Sequence, residues 1–229
     1  MSFYFVIVLA FTGIGMILSS KLKSVFNKNS KVPTSSGMTG AEVAKAMLDH
    51  YGIHDVKIVP GRGRLTDHYN PLTKTIALSE PVYNSRSVAA AAVAAHECGH
   101  AVQHAEAYSM LTMRSNLVPV VQFSSTIQQY MFIGFFVMGG AAMFSSNLFM
   151  GIFAATFGVT ALFALITLPV EFDASKRALA WLDDTNITHG SEYDGARDSL
   201  WWAAMTYVNN ALMSLAIFLF FLLRFLGND

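Results

Sequence analysis

Charge is what this sequence has least of. Only 13% of its 229 residues are Asp, Glu, Lys or Arg, while 53% are hydrophobic. A soluble domain carries about 25% charged residues, so the deficit points to a chain embedded in lipid. Basic and acidic residues balance at 15 each. No basic field exists to hold a phosphate backbone, and no nucleic-acid partner is expected. A single cysteine, Cys98, excludes an internal disulfide. Internal repeats and low-complexity segments are also missing.

Long apolar runs are abundant instead. Residues 1–20 carry no charge, residues 115–170 form 56 uncharged positions, and residues 199–223 form 25 more. A membrane span needs about 20 apolar residues, so the middle run predicts two helices joined by a turn near Ser145-Ser146-Asn147. Four spans are expected, near 3–19, 120–143, 149–169 and 206–224. The first lacks a basic leading region and a clear small-x-small cleavage site, which favours an uncleaved anchor over a signal peptide. A buried helical core is the weaker alternative, because core helices of this length normally show a polar face.

The basic residues set an orientation. Lys21, Lys23, Lys28 and Lys31 follow the first span, Arg114 precedes the second, Lys176 and Arg177 follow the third, and Arg197 precedes the fourth. By the positive-inside rule the N-terminus lies outside and residues 21–115 and 171–200 lie in the cytoplasm. Arg224 dissents and can snorkel. The expected organisation is an anchor (1–20), a cytoplasmic metal-site region (21–115), a transmembrane hairpin (116–170), a cytoplasmic helix and loop (171–205) and a last span (206–229).

Within residues 21–115, Thr39 predicts the cap of a helix from Gly40 to His50. Val56–Val59 is strand-prone. Leu65–Tyr69 and Thr73–Leu78 flank Asn70-Pro71 and predict a hairpin-like pair. Thr73–Leu78 is a candidate edge strand for an extended peptide. Ser85 or Ser87 begins a helix running from Val88 to about Ala107, and a further helix is expected from Val170 to Leu182.

That helix from Val88 holds the chemistry: His96-Glu97-Cys98-Gly99-His100 matches H-E-x-x-H. Two imidazoles four residues apart project from one helix face and can grip one Zn²⁺, with Glu97 placed to handle protons. Cys98 lies about 200° around the helix from His96 and reads as packing. Ala89 to Ala95 presents small residues, so another element or a substrate can approach closely. A catalytic zinc needs a third protein ligand and an open position. His104 is eight residues from His96, about 12 Å along the axis, too far for bonds of about 2 Å; it is expected in a supporting or surface role. Glu171, at the end of the third span, is the better candidate, since two membrane crossings return it to the side of the motif. Asp173 is a candidate to orient a ligand histidine, or a surface group. His68, beside Asp67 as a tautomer-fixing neighbour, and Tyr207 are candidates to hold an oxyanion.

Three segments together resemble a known family: Ala95-His96-Glu97-Cys98-Gly99-His100-Ala101-Val102-Gln103, Leu65-Thr66-Asp67-His68-Tyr69-Asn70-Pro71 and Pro169-Val170-Glu171-Phe172-Asp173-Ala174-Ser175. They look like the YugP-type neutral zinc metallopeptidases of bacterial membranes, a likeness covering most of the chain. That family is similar to the HtpX-type heat-shock proteases and the CAAX prenyl proteases, in which H-E-x-x-H is completed by a downstream glutamate. The resemblance implies Glu171 as third ligand, with Ser175 standing where the wider group has aspartate, and Cys98 where an aliphatic residue is usual. It implies an α-helical membrane protein with a small α+β zincin-like catalytic domain in the bacterial cytoplasmic membrane. The expected activity is hydrolysis of membrane-proximal peptide or protein substrates by zinc-activated water, with Glu97 as general base.

Two rivals remain at this level. An intramembrane site-2-type protease would need an acidic ligand in a later span, and residues 115–170 and 199–223 contain none. A non-catalytic scaffold would need a fourth protein ligand. The Gly139-Gly140 pair and Gly151 leave room for close helix packing, so an oligomer or a regulatory membrane partner stays open.

Overall fold

The computed structural model describes residues 2–137 and 146–227. Within them the chain runs α1 (Ser2–Asn29), α2 (Gly40–His50), β1 (Lys57–Gly61), β2 (His68–Asn70), β3 (Thr75–Ser79), α3 (Glu80–Tyr83), α4 (Val88–Ala105), α5 (Ser109–Val137), α6 (Asn147–Asp184) and α7 (Ser191–Leu226). The protein is mostly helical with a small three-stranded sheet. Among the described residues, three helices, α1, α6 and α7, are long and apolar enough to cross a membrane. The expected span at 120–143 begins inside α5 and runs into residues outside the described ones; Ser145 of the expected turn and the Gly139-Gly140 pair also lie outside them, while Asn147 begins α6.

The chain divides into two units. One comprises Met1–Ile17, Thr112–Leu168 and Thr206–Asp229; the other comprises Leu18–Leu111 and Pro169–Met205. The first unit is held by aromatic packing. Phe153 and Phe157 stack on Phe221 with centroids 4.7 and 5.3 Å apart, beside buried Met131, Met150 and Ile217. Gly151 admits the Phe225 ring, which a Cβ there would meet at 3.0 Å. Thr156, Thr160 and Thr167 hide their hydroxyls by bonding the carbonyl four residues earlier, the usual solution for hydroxyls in apolar helices.

The second unit folds around α4. Thr39 caps α2 through a reciprocal box: its hydroxyl accepts from the Glu42 N–H (3.2 Å) and Glu42 accepts from the Thr39 N–H (2.7 Å). Ser87, rather than Ser85, caps α4 by accepting from the Ala90 N–H (3.3 Å). The apolar faces of α2 (Val43, Met47) and β3 (Ile76, Leu78) are fully buried in the same cluster as Ala89–Ala92, Ala94 and Ala95. The small residues of α4 therefore admit other elements of the chain itself.

The sheet corrects one expectation. β2 and β3 pair antiparallel, with His68 opposite Ala77 and Asn70 opposite Thr75, while β1 pairs parallel to β3. The order is β1-β3-β2, so β3 is the central strand and both its edges are occupied. Thr73–Leu78 is not an edge for an incoming peptide; β1 and β2 are the edges. The alternation of β3, with Ile76 and Leu78 inward, signals a buried face but carries no information on neighbours.

Helix continuity corrects a second. The span ending at 169 and the separate helix from Val170 are one 38-residue helix, α6, with Pro169 inside it. Likewise α7 runs unbroken through 36 residues. Proline deletes a single N–H and so removes only one rung of the ladder.

Leu78→Ala in the central strand should lower unfolding stability by about 2–5 kcal/mol. Denaturant unfolding followed by circular dichroism in detergent measures it, and an unchanged midpoint would contradict the packing described.

Candidate metal centre

His96 and His100 sit on one face of α4, and Glu171 sits on α6. The Glu171 carboxylate oxygen lies 3.4 Å from His96 Nε2 and 3.6 Å from His100 Nε2, and all three donor atoms fall within 4.8 Å of one another. Four-coordinate zinc with bonds of about 2.0–2.1 Å places its donors about 3.3 Å apart along a tetrahedral edge. The donor set, two imidazoles and a carboxylate, suits Zn²⁺, and the two carboxylate–imidazole spacings lie near that edge length. It is the one group of three or more candidate ligands among the described residues, which leaves a tetrahedral ion one open position.

The approach of α6 to α4 depends on Gly99. A Cβ there would lie 2.6 Å from the Ala174 carbonyl oxygen and 3.1 Å from its Cα, closer than any side chain tolerates. The glycine inside the motif thus lets the two backbones touch, and Glu171, three residues before Ala174, then reaches the imidazoles.

Each histidine is steered by a neighbour. An imidazole offering its Nε2 lone pair carries its proton on Nδ1. His96 Nδ1 lies 3.1 Å from Ser175 Oγ, so a hydroxyl fills the place where the resemblance led one to look for a carboxylate. His100 Nδ1 lies 3.0 Å from Gln103 Oε1. Gln103 is fully buried, and its amide donates to the Val170 carbonyl and to Asp173, both at 2.8 Å. Asp173 also accepts from Arg177 Nε (2.6 Å), and Arg177 pairs with Glu106 (2.6 Å). Asp173 therefore reaches a histidine only through Gln103. Gln103 escaped the sequence reading, although it stands one turn beyond His100 on the same helix face, as a polar group in an apolar run.

Glu97 is buried beside the pair. Burial pushes its pKa upward, against the pull of His96 and His100, and Glu171 and Asp67 push the same way. At His100 burial disfavours the charged imidazole, but the hydrogen bond and charge of Glu171 outweigh it and hold its pKa above the ordinary histidine value. Cys98 packs away from the donors, its Sγ 3.4 Å from the Ala44 carbonyl. Burial raises its thiol well above the usual value, and a protonated thiol is no metal ligand.

The remaining candidates are not among the three converging donors. His68 is exposed on β2, its Nδ1 2.9 Å from the Thr66 carbonyl. Asp67 does not steer it: its carboxylate accepts from the Ser79 N–H (2.7 Å) and hydroxyl (3.0 Å), tying the loop to β3. His104 Nδ1 meets the Tyr69 hydroxyl at 2.7 Å and joins α4 to β2. Tyr207 belongs to the other unit, on α7.

A family profile described as "putative neutral zinc metallopeptidase" matches residues 4–226. A Bacillus subtilis (strain 168) protein named "putative membrane protease YugP" is 44% identical over 222 residues, covering 96% of each chain. No solved structure matches.

Gly99→Ala should separate α4 from α6 and lower bound zinc, measured by elemental analysis of the purified protein, while helical content holds. Full zinc occupancy in that variant would show that the contact is not needed.

Proposed function

The chain belongs to the neutral zinc metallopeptidase family, and from that premise we propose that it is a multi-pass membrane enzyme hydrolysing peptide bonds. The convergence of His96, His100 and Glu171 beside buried Glu97 carries this reading. These three residues would hold the zinc. When bound, such an ion acidifies water and polarises a carbonyl.

The chain's own groups do the rest. Glu97 takes a proton from the attacking water and passes it to the leaving amine. Its upward-shifted pKa brings it nearer the range where a base both holds and releases a proton efficiently. Ser175 and Gln103 keep the two Nε2 lone pairs aimed at the ion. Within the unit that holds the donors, His68 is the nominee for stabilising an oxyanion. The catalytic region is zincin-like, with α4 as its metal helix and the small sheet beside it.

We read α5 as a fourth membrane-crossing helix, because it lies within the uncharged run of residues 115–170 for most of its length. With Lys21, Lys23, Lys28, Lys31, Lys176, Arg177 and Arg197 just outside the apolar stretches, the positive-inside rule puts the centre on the cytoplasmic side. Glu171 follows the apolar stretch closely in α6, which favours substrates at the membrane: protein or peptide segments leaving the bilayer. Three protein donors with one open position favour catalysis over a structural zinc.

Glu97→Gln should retain zinc and lower peptidase turnover by roughly 10²–10⁴-fold, whereas Glu171→Ala should lose zinc. Elemental analysis paired with a chelator-sensitive peptidase assay reads both; full activity without Glu97 would refute the base role, and full zinc without Glu171 would refute the ligand role. Gln103→Leu removes the partner of His100 Nδ1 and should weaken zinc affinity by about 10–100-fold, measured by competition with a chromogenic chelator, and an unchanged affinity would assign Gln103 a packing role only.

A further inference from the structure

A second feature lies on the far side of Ser175. A cleft of about 330 Å³ opens between α6 and α7, its wall including Phe172, Ser175, Lys176, Arg197, Leu200 and Trp201. Its chemistry is graded along both helices. On α6 the apolar stretch ends at Leu168; Phe172 follows by four residues and Lys176 by eight, about 6 and 12 Å of helical rise. Reading back along α7 from Thr206, Trp201 comes after five residues and Arg197 after nine, about 8 and 14 Å. The two rings meet with centroids 6.5 Å apart at 56°, and each cation stands one turn beyond its ring.

Two helices thus carry the same sequence of levels, apolar, aromatic, basic. That is the order met on leaving a bilayer leaflet: acyl chains, the interfacial belt that aromatic side chains favour, then phosphates. Cations are present among the lining residues and carboxylates are not. The Lys176 side chain makes no ion pair or hydrogen bond among the described residues. Arg197 meets Asp194 at 3.1 Å in an exposed pair, which is weak and easily exchanged for a better anion. Phe172 and Trp201 are left 39% and 53% exposed, large apolar surfaces that water covers poorly.

We propose that this cleft binds an anionic phospholipid, with its phosphate between Lys176 and Arg197 and the root of its acyl chains over Phe172 and Trp201. The occupant would lie against Ser175, whose hydroxyl meets His96 Nδ1, so lipid occupancy and the metal centre share a residue. The proposal does not depend on the peptidase reading.

The test uses the full-length protein extracted from vesicles of equal phosphatidylglycerol and phosphatidylcholine, with retained lipid counted by native mass spectrometry. The wild type should retain phosphatidylglycerol preferentially. Replacing both cations, Lys176→Gln with Arg197→Gln, should cut that preference roughly tenfold or more, with zinc content and helical circular dichroism unchanged. Lys28→Gln with Lys31→Gln removes the same charge elsewhere and should leave the preference intact. An unaltered preference in the first double variant, or an equal loss in the second, overturns the proposal. So does a first double variant that keeps its lipid but shows a raised KM for peptide in pure phosphatidylcholine vesicles, since the cleft would then serve substrate.

Discussion

One close approach of two backbones decides what this protein can do. At Gly99 the α4 backbone lies against the carbonyl of Ala174 on α6 with no room for a methyl group. That contact fixes where Glu171 can be. A carboxylate is short, and one added methyl between the helices would move it beyond the 3.4 and 3.6 Å that now separate it from the two imidazoles. The alanines of α4 serve the same end, since they let α2 and the sheet close in on its other faces. Geometry at the donors is thus a consequence of small residues, not of the donors themselves.

Burial then raises an electrostatic question. Glu97 and Glu171 are both nearly inaccessible, and burying two carboxylates costs several kcal/mol each unless compensated. Among the protein groups alone, burial pushes the Glu171 carboxyl up, but hydrogen bonds and charge from His100 and His96 outweigh it and hold that carboxyl below the usual range, while burial drives Glu97 toward holding a proton. A divalent cation would give the two imidazole lone pairs and the Glu171 carboxylate a common partner.

Much of this was legible in the sequence, and the failures have physical causes. The metal helix announced itself through the spacing of His96 and His100, and the α2 cap through Thr39, because both are local. Strand existence was local too, and β1, β2 and β3 fall close to where β-prone residues and Asn70-Pro71 put them. Strand order was not, because alternation along β3 reports which face is buried and is silent about edges. The break expected at Pro169 failed for another reason. Polarity changes sharply there, but a helical hydrogen-bond ladder is as well satisfied beyond the apolar stretch as within it, so α6 simply continues. Gln103 and Gly99 were invisible because their meaning lies in residues about 70 positions away, Val170, Asp173 and Ala174.

The partners of the histidines bear on how the centre would work. A carboxylate on Nδ1 makes an imidazole a stronger donor and so damps the Lewis acidity of the ion it holds. Here His96 meets a hydroxyl and His100 an amide oxygen; both are neutral. The nearby carboxylate, Asp173, is kept one residue back and has its charge taken up by Arg177. Orientation is therefore supplied without negative charge, and the one anionic donor to a bound ion would be Glu171. An ion so held stays more electron-poor than one backed by carboxylates, which favours acidifying water in a buried centre, where Glu97 is already inclined to accept the proton released.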